Sequence, residues 1–475
     1  MFKKIILIII MLNCGVNAAS LPRYGGTLKI GIDSIPQTLD PANAVGPFEK
    51  EICSKIYNTL PEVTKSYNNL KDGLAWIFYI LPGIQFHNSR VLTAYDVKGS
   101  FERVINPNTN SPYSYIFNAV QGVEEYRLDA AGEVIGIKVL DANSLEINLR
   151  YFDNSFFQNL SLCAGSILPM ESVNEPGSEF FDAPAGSGPF RFAGRDENEI
   201  ILEANEEYFE GRPYLDDVRF SVFSEEDFKP AGSFSVNNAA SVFLGINHQN
   251  KVLENGFLRE AVGLAIDRQK IKETISPSLE ISNRGITPEL LELPKKDFIF
   301  NPEEAKAILG HEEYSSVKNE LIMLYVPDKP VEVAKIAGEI WNELAAVGFN
   351  VQVEIRPKDN FVQALMENRP GLFLCSFIFE NHELKNFYAY IFNRLLPYTF
   401  YSPEKLLNLY RLAEQSADKN EAVKFYEEIE NIMFEERPFI FIGHLPYSVL
   451  YEPKLMDLET DFLKLKLNSS WILPE

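Results

Sequence analysis

FHNSRVLTAYDVKGSFERV, Phe86 to Val104, and PAGSGPFRF, Pro184 to Phe192, are the two stretches on which the reading of this chain turns. In the first, Thr93 stands where it can cap a helix that Asp96 and Val97 begin. In the second, the glycines and prolines at 186–189 shape a turn and lack the Lys and Ser/Thr of a phosphate-cradling loop. Upstream, Leu28, Ile30 and Ile32 alternate with Lys29 and Gly31, which predicts a strand. Between the two stretches, Ser144 to Leu149 follows the polar turn Asp141-Ala142-Asn143 and pairs with Val134 to Val139 as a hairpin. The texture then changes. Leu258, Ala261, Val262, Ala265 and Ile266 fall at helical spacing across LREAVGLAIDRQKI. Asn301 caps a helix with Pro302 at its first position, Glu304 three residues after the cap and Gly310 at its end. Val333, Ile336, Ala337, Ile340, Trp341 and Leu344 form one apolar stripe closed by Gly348, followed by the alternating strand Phe349, Val351, Val353, Ile355. Asp418 and Glu421 repeat the capping pattern ahead of a helix that must stop before Pro438. These patterns predict an α/β lobe over 247–440 flanked by a more strand-rich lobe.

The 475 residues are too many for one ordinary core, and 46% apolar content is that of a globular protein. Lys3 and Lys4 precede the apolar run Ile5 to Leu12, too short to span a bilayer, and Val16-Asn17-Ala18 offers small residues to a signal peptidase. Residues 1–18 are therefore expected to be an export signal, with a lipid attachment at Cys14 as the alternative. Their removal takes the net charge from −23 to −25. Such a field repels phosphate backbones and anionic lipid, which argues against nucleic acid and membrane surfaces and tolerates cationic or zwitterionic small ligands. Cys53, Cys163 and Cys375 remain, an odd number that allows one bridge and does not say which.

Catalytic chemistry finds little support. His87, His248, His311, His382 and His444 stand singly, with no spacing that gathers metal ligands on one helical face. A nucleophile elbow is missing, and acidic pairs in so acidic a protein read as solvated surface. No enzyme, metal or cofactor is expected.

The chain resembles the bacterial extracellular solute-binding proteins of family 5, the dipeptide- and oligopeptide-binding type. Tyr24 to Leu28 with Leu39-Asp40-Pro41 is similar to the family's mature N-terminus, and Lys55 to Leu60 to its first helix. Gly83 to Arg103 matches the signature block nearly in register. Gly186 to Phe192 follows, then Asn205, Tyr208-Phe209, Gly211 to Asp216, Asn247, Leu258-Arg259 and Ala265 to Arg268. The match covers most of residues 24–275 and returns more weakly from Asn301 to Pro438. Two stretches, 60–70 and 223–239, are shorter here than in the family.

The resemblance implies a bilobal α/β periplasmic-binding-protein fold of the large, peptide-binding type, crossed twice by hinges near Leu244 to Asn247 and Phe439 to Gly443. It implies an N-terminal lobe over 19–246 with an inserted subdomain around 49–165, a second lobe over 247–440, and a C-terminal segment 441–475 returning to the first. It implies a monomeric, periplasmic component of an ABC importer that captures short peptides and delivers them to an inner-membrane permease. In that family a Trp and an Asp contact the peptide, the Asp holding its α-ammonium. The register puts Phe377 at the Trp, Glu380 at that Asp and Glu383 at a following Asp. His87 reads as scaffold. A carrier of nickel chelate or another small cationic solute, a degenerate paralogue without ligand, and a hydrolase using paired carboxylates are the competing readings.

Overall fold

The computed structural model describes residues 22–153, 155–174, 179–222, 232–281, 299–317, 319–378, 384–416, 418–453, 455–461 and 464–472. The expected export signal, residues 1–18, lies outside them. Among them no helix is long and apolar enough to cross a membrane.

One large sheet organises the chain. Its strands are β1 (Thr27–Ile32), β6 (Phe190–Arg195), β7 (Glu199–Ala204), β8 (Asp217–Val222), β9 (Gly232–Ile246), β10 (Glu280–Ile281), β11 (Ile322–Pro327), β12 (Val351–Arg356), β13 (Leu372–Ile378) and β14 (Phe439–Glu452). Their spatial order is β12-β11-β13-β9-β14-β1-β8-β7-β6, with β10 against β14. Strands β2 (Thr64–Leu70), β3 (Ala75–Ile80), β4 (Ile137–Asp141) and β5 (Ser144–Asn148) form a separate four-stranded sheet in the order β2-β3-β5-β4.

The predicted hairpin is β4 and β5, with Val139 opposite Leu145. The Asn301 cap holds as expected: its side chain accepts from the Glu304 N–H and donates to the Glu304 carboxylate at 2.8 Å. Gly348 ends the helix Val331–Val347 at φ 111°, where a side chain would be strained. One element differs. The helix read across LREAVGLAIDRQKI is two helices, Gly256–Ala265 and Arg268–Thr274, because Ile266 is extended and Asp267 caps a fresh start by accepting the Lys270 N–H. Both halves bury the same stripe, including Leu258, Ala261, Val262 and Ile271, so the periodicity runs through the break.

Strands β9 and β14 are 15 and 14 residues long, well beyond the usual five or six. They pair with each other from Phe439 opposite Gly245 to Tyr451 opposite Gly232. At one end β9 carries β13, through Ala240 to Ile246. At the other end β14 carries β1, through Leu450 to Glu452. The register between β9 and β14 shifts between Leu445 and Tyr447, where Pro446 has no N–H to give the ladder. Two long strands are thus the covalent link between two half-sheets, each with its own core. Leu28, Ile30, Phe190 and Phe220 belong to one core, and Leu244, Leu324, Ile336 and Leu374 to the other. A third cluster joins Phe78, Phe101 and Phe117 of the subdomain to Phe361, Tyr388 and Tyr410 of the second lobe.

Candidate ligand-binding cleft

The two opening stretches meet at one junction. The helix Pro47–Ile56 ends there, and its Ile56 carbonyl, which has no partner within the helix, accepts the Gly188 N–H at 2.8 Å. A Cβ on Gly186 would run into that same carbonyl oxygen, and one on Gly188 into the Lys55 carbonyl. The His87 N–H donates to the Gly186 carbonyl at 2.7 Å, and its Nε2–H to the Gly188 carbonyl at 3.0 Å. Burial pushes the His87 pKa down to about 4, so the ring is neutral at pH 7. Asn205 adds Nδ2 to the Gly188 carbonyl at 3.1 Å. The other family-like residues are equally occupied by the fold. Asp96 accepts from both the N–H and the hydroxyl of Thr93 at 2.9 Å. Arg103 grips Asp40 through both guanidinium nitrogens, at 2.8 and 2.6 Å. Arg268 donates to the Phe441 carbonyl at 2.8 Å, and Arg259 to the Glu436 carbonyl at 2.7 Å.

The place for a ligand follows from strand direction. β1 and β8 run parallel, as do β11, β12 and β13. Ligands of α/β sheets bind outside the carboxyl ends of parallel strands. Here the carboxyl ends of the two parallel sets face each other across the gap between lobes. Asp33, just past β1, receives the Lys329 Nζ–H on its main-chain carbonyl at 2.5 Å. Its carboxylate lies 3.8 Å from Lys358 Nζ. Lys329 follows β11 and Lys358 follows β12, and the parallel register that sets Pro327 beside Arg356 brings the two lysines to one rim. On the same rim the Arg356 guanidinium stacks 4.8 Å over the Tyr325 ring and donates to its hydroxyl at 3.0 Å. Further out, Lys385 reaches Asp153 of the subdomain at 2.7 Å, an ion pair largely withdrawn from water.

Of the three residues singled out from the sequence, Phe377 is near the carboxyl end of β13, opposite Ser241 of β9, half-buried and stacked on Tyr390 with centroids 3.5 Å apart. Glu380 and Glu383 lie outside the described residues. Sequence reasoning missed Lys329, Lys358, Arg356 and Tyr447. Tyr447 sits on β14 beside the Pro446 irregularity, 92% buried, its ring 6.1 Å from Phe48. Among the described residues its hydroxyl has no hydrogen-bond partner, and burial together with the charges of Glu51 and Asp33 pushes its pKa well up. A buried hydroxyl left unpaired beside the gap is the sort of group a ligand or water satisfies. Only its place as a polar aromatic in the apolar run FIFIGHLPYSVLYE could have pointed to it. Among the described residues no group of three or more His, Cys, Asp or Glu is arranged to hold a metal ion.

Comparison with known proteins finds the same fold. The chain is 24% identical over 498 residues to the oligopeptide-binding protein AppA of Bacillus subtilis strain 168, covering 90% of this chain and 87% of the relative. It is 21% identical to di/tripeptide-binding protein 2 of Pseudomonas aeruginosa strain UCBPP-PA14, covering 90% and 91%. In three dimensions it superimposes on AppA from Bacillus subtilis in complex with a nonapeptide with a TM-score of 0.81 at 20% identity, over 96% of this chain and all of that one. NikZ from Campylobacter jejuni in complex with Ni(L-His) shares the fold with a TM-score of 0.75 at 18% identity, over 91% and 95%. The family model for bacterial extracellular solute-binding proteins, family 5 middle, matches residues 58–231 and 226–394. The bilobal sheet is therefore the fold of these solute-binding proteins, and this chain belongs to the bacterial extracellular solute-binding proteins of family 5.

Proposed function

We propose that the chain captures short zwitterionic peptides outside the cytoplasm and hands them to an inner-membrane permease of an ABC importer. The observation that carries this is the opposition of charge across the gap. Lys329, Lys358 and Arg356 line the second lobe's rim, while the carboxylate and main-chain carbonyl of Asp33, just past β1, line the first. A peptide brings a carboxylate that displaces Asp33 from the lysines, an ammonium for the acidic segment after β13, and a main chain able to pair with strand ends. In this reading Glu380, directly after β13, takes the ammonium, Phe377 is an apolar wall, and Glu383 shapes the loop. The outer partners of β9 and β14 change around Val236 to Ala240 and Leu445 to Tyr447, which favours a hinge further along both strands than the Leu244 to Asn247 and Phe439 to Gly443 crossings expected from the resemblance. The lobes expected from the resemblance are 19–246, with its insertion at 49–165 and the return of 441–475, and 247–440, and this hinge moves the last residues of β9 and the first of β14 to the second lobe. Residues 1–18 direct export, and the protein works as a monomer.

Lys329 and Lys358 now spend their ammonium groups on Asp33. A ligand's own charges replace those contacts on entry, so closure is driven only by what the ligand touches on both lobes at once. The test is a thermal shift with a panel of di- to nonapeptides, their N-acetylated counterparts and a nickel–histidine chelate. Free peptides raise Tm with ligand excess because they bind only the folded state, and acetylated ones do not. Equal shifts with free and acetylated peptides, or a shift with the chelate alone, would overturn the reading.

A further inference from the structure

Two of the three cysteines of the expected mature chain meet. Cys53 is on the helix Pro47–Ile56 and Cys163 opens the short turn Cys163–Gly165. Both are buried in the same core, among Leu39, Tyr57 and Leu168. The helix and the turn pack directly against each other, and both cysteines are free thiols in this structure. The Cys53 thiol donates to the Leu39 carbonyl at 3.5 Å and lies within side-chain hydrogen-bonding reach of Cys163. Cys375 is on β13, in the other half-sheet, with β9 and β14 between it and β1.

The location gives the pair a purpose. After the helix Pro47–Ile56 the chain leaves the first lobe to build the four-stranded sheet, and it returns at Cys163. The neck is tied by the bridge between Thr59 and Ser166 and by the Ile167 N–H to the Asn58 carbonyl at 2.9 Å. We propose that Cys53 and Cys163 form a disulfide in the exported protein, a covalent staple across the neck of the subdomain. This rests on the extracytoplasmic location argued above, because such bonds persist in oxidising compartments.

The bond forms before the core closes. In the folded chain burial, with Cys163 alongside, holds the Cys53 thiol well above its usual range, so it supplies no thiolate. In the unfolded chain one cysteine thiolate attacks a disulfide donor RSSR, forms a mixed disulfide and expels RS⁻. The second cysteine thiolate attacks the protein sulfur of that mixed disulfide and expels the other RS⁻. The protein loses two electrons and two protons, and the donor leaves as two RSH. The loop so closed is about 110 residues, a length for which constraint of the unfolded chain is large.

The test uses the full chain with Cys14→Ser, refolded from the reduced, unfolded state in oxidised and reduced glutathione. This supplies the oxidant directly, so the result is independent of where the protein resides in the cell. Non-reducing digestion should yield Cys53 and Cys163 in one cross-linked peptide pair, with Cys375 the single thiol alkylated in denaturant. Reduction should lower Tm by about 5 °C. The Cys53→Ser, Cys163→Ser double variant should melt at the reduced parent's temperature with or without reductant. Three alkylatable thiols, a cross-link to Cys375, or a Tm unmoved by reductant would overturn the staple.

Discussion

The junction below the helix Pro47–Ile56 and the rim between the lobes are built on opposite principles. At the junction the named polar groups are mostly matched within the chain. Ile56 gives its carbonyl to Gly188, His87 spans both glycines, and Arg103 closes on Asp40. At the rim Lys329 and Lys385 find their partners on the other lobe, and among the described residues the Tyr447 hydroxyl has none. The difference teaches that the most recognisable sequence in this chain specifies how the helix, the turn and the subdomain are joined, and that the contacts between lobes come from residues that carry little pattern.

The comparison breaks most visibly at Gly186. Gly186→Ala forces a Cβ against the Ile56 carbonyl, a backbone atom that cannot swing aside. It should cost about 4 kcal/mol or more in urea unfolding. Loss of under 1 kcal/mol would mean the junction is softer than described. The rim answers in the opposite currency. Glu380→Gln should leave urea stability nearly unchanged and weaken a free-amine peptide by roughly 2–5 kcal/mol in titration calorimetry, as for one partner of a buried charge pair. Unchanged affinity would return Glu380 to the status of an ordinary loop acid.

A pH profile sharpens the contrast. The folded His87 pKa of about 4 lies below the ordinary 6.5. The unfolded state therefore binds the proton first as pH falls. Its contribution is fully present above pH 6.5 and is lost towards pH 4, at about 1.4 kcal/mol per unit through that window. His87→Gln, which keeps an N–H donor at the Nε2 position, should flatten that part of the urea profile. His248, also lowered to about 4 by burial, keeps its own slope. Identical profiles for parent and variant would show that His87 titrates normally. Smallest is Tyr447→Phe, which removes an unpaired buried hydroxyl. It should raise the stability of the unliganded protein by about 1 kcal/mol and lower peptide affinity by a similar amount. A loss of unliganded stability would reveal a partner for that hydroxyl within the protein.

Much of the fold was legible because its signals are local. The Asn301 cap, Gly348, the hairpin over 137–148 and the strand at Leu28 each depend on a few neighbouring residues. The break at Ile266 was not, since the apolar stripe continues on either side of it and only the Asp267 cap marks it. The long strands β9 and β14 escaped notice for a different reason. Their length is set by pairing with each other, and Pro446, which reads as a strand breaker, is accommodated by a shift in register. The rim was the least legible part. Lys329 and Lys358 each stand beside a proline in unremarkable sequence, and only the parallel pairing of β11 with β12 sets them together. Lys385 and Asp153 come from different lobes, and neither lies in a motif. The resemblance singled out Phe377, which lies near the carboxyl end of β13, and Glu380 and Glu383, which lie outside the described residues.

The central claim is that a solute held between facing strand ends draws the lobes together through β9 and β14. It is tested most directly by measuring the distance between the lobes. Spin labels on the exposed positions Asn198 of the first lobe and Asn342 of the second, in a Cys375→Ser background, would report it by pulsed electron paramagnetic resonance. A free short peptide should shift the distribution to a single shorter distance, and its N-acetylated form should leave the unliganded distribution in place. A distribution that does not change while calorimetry shows the free peptide bound would contradict the account.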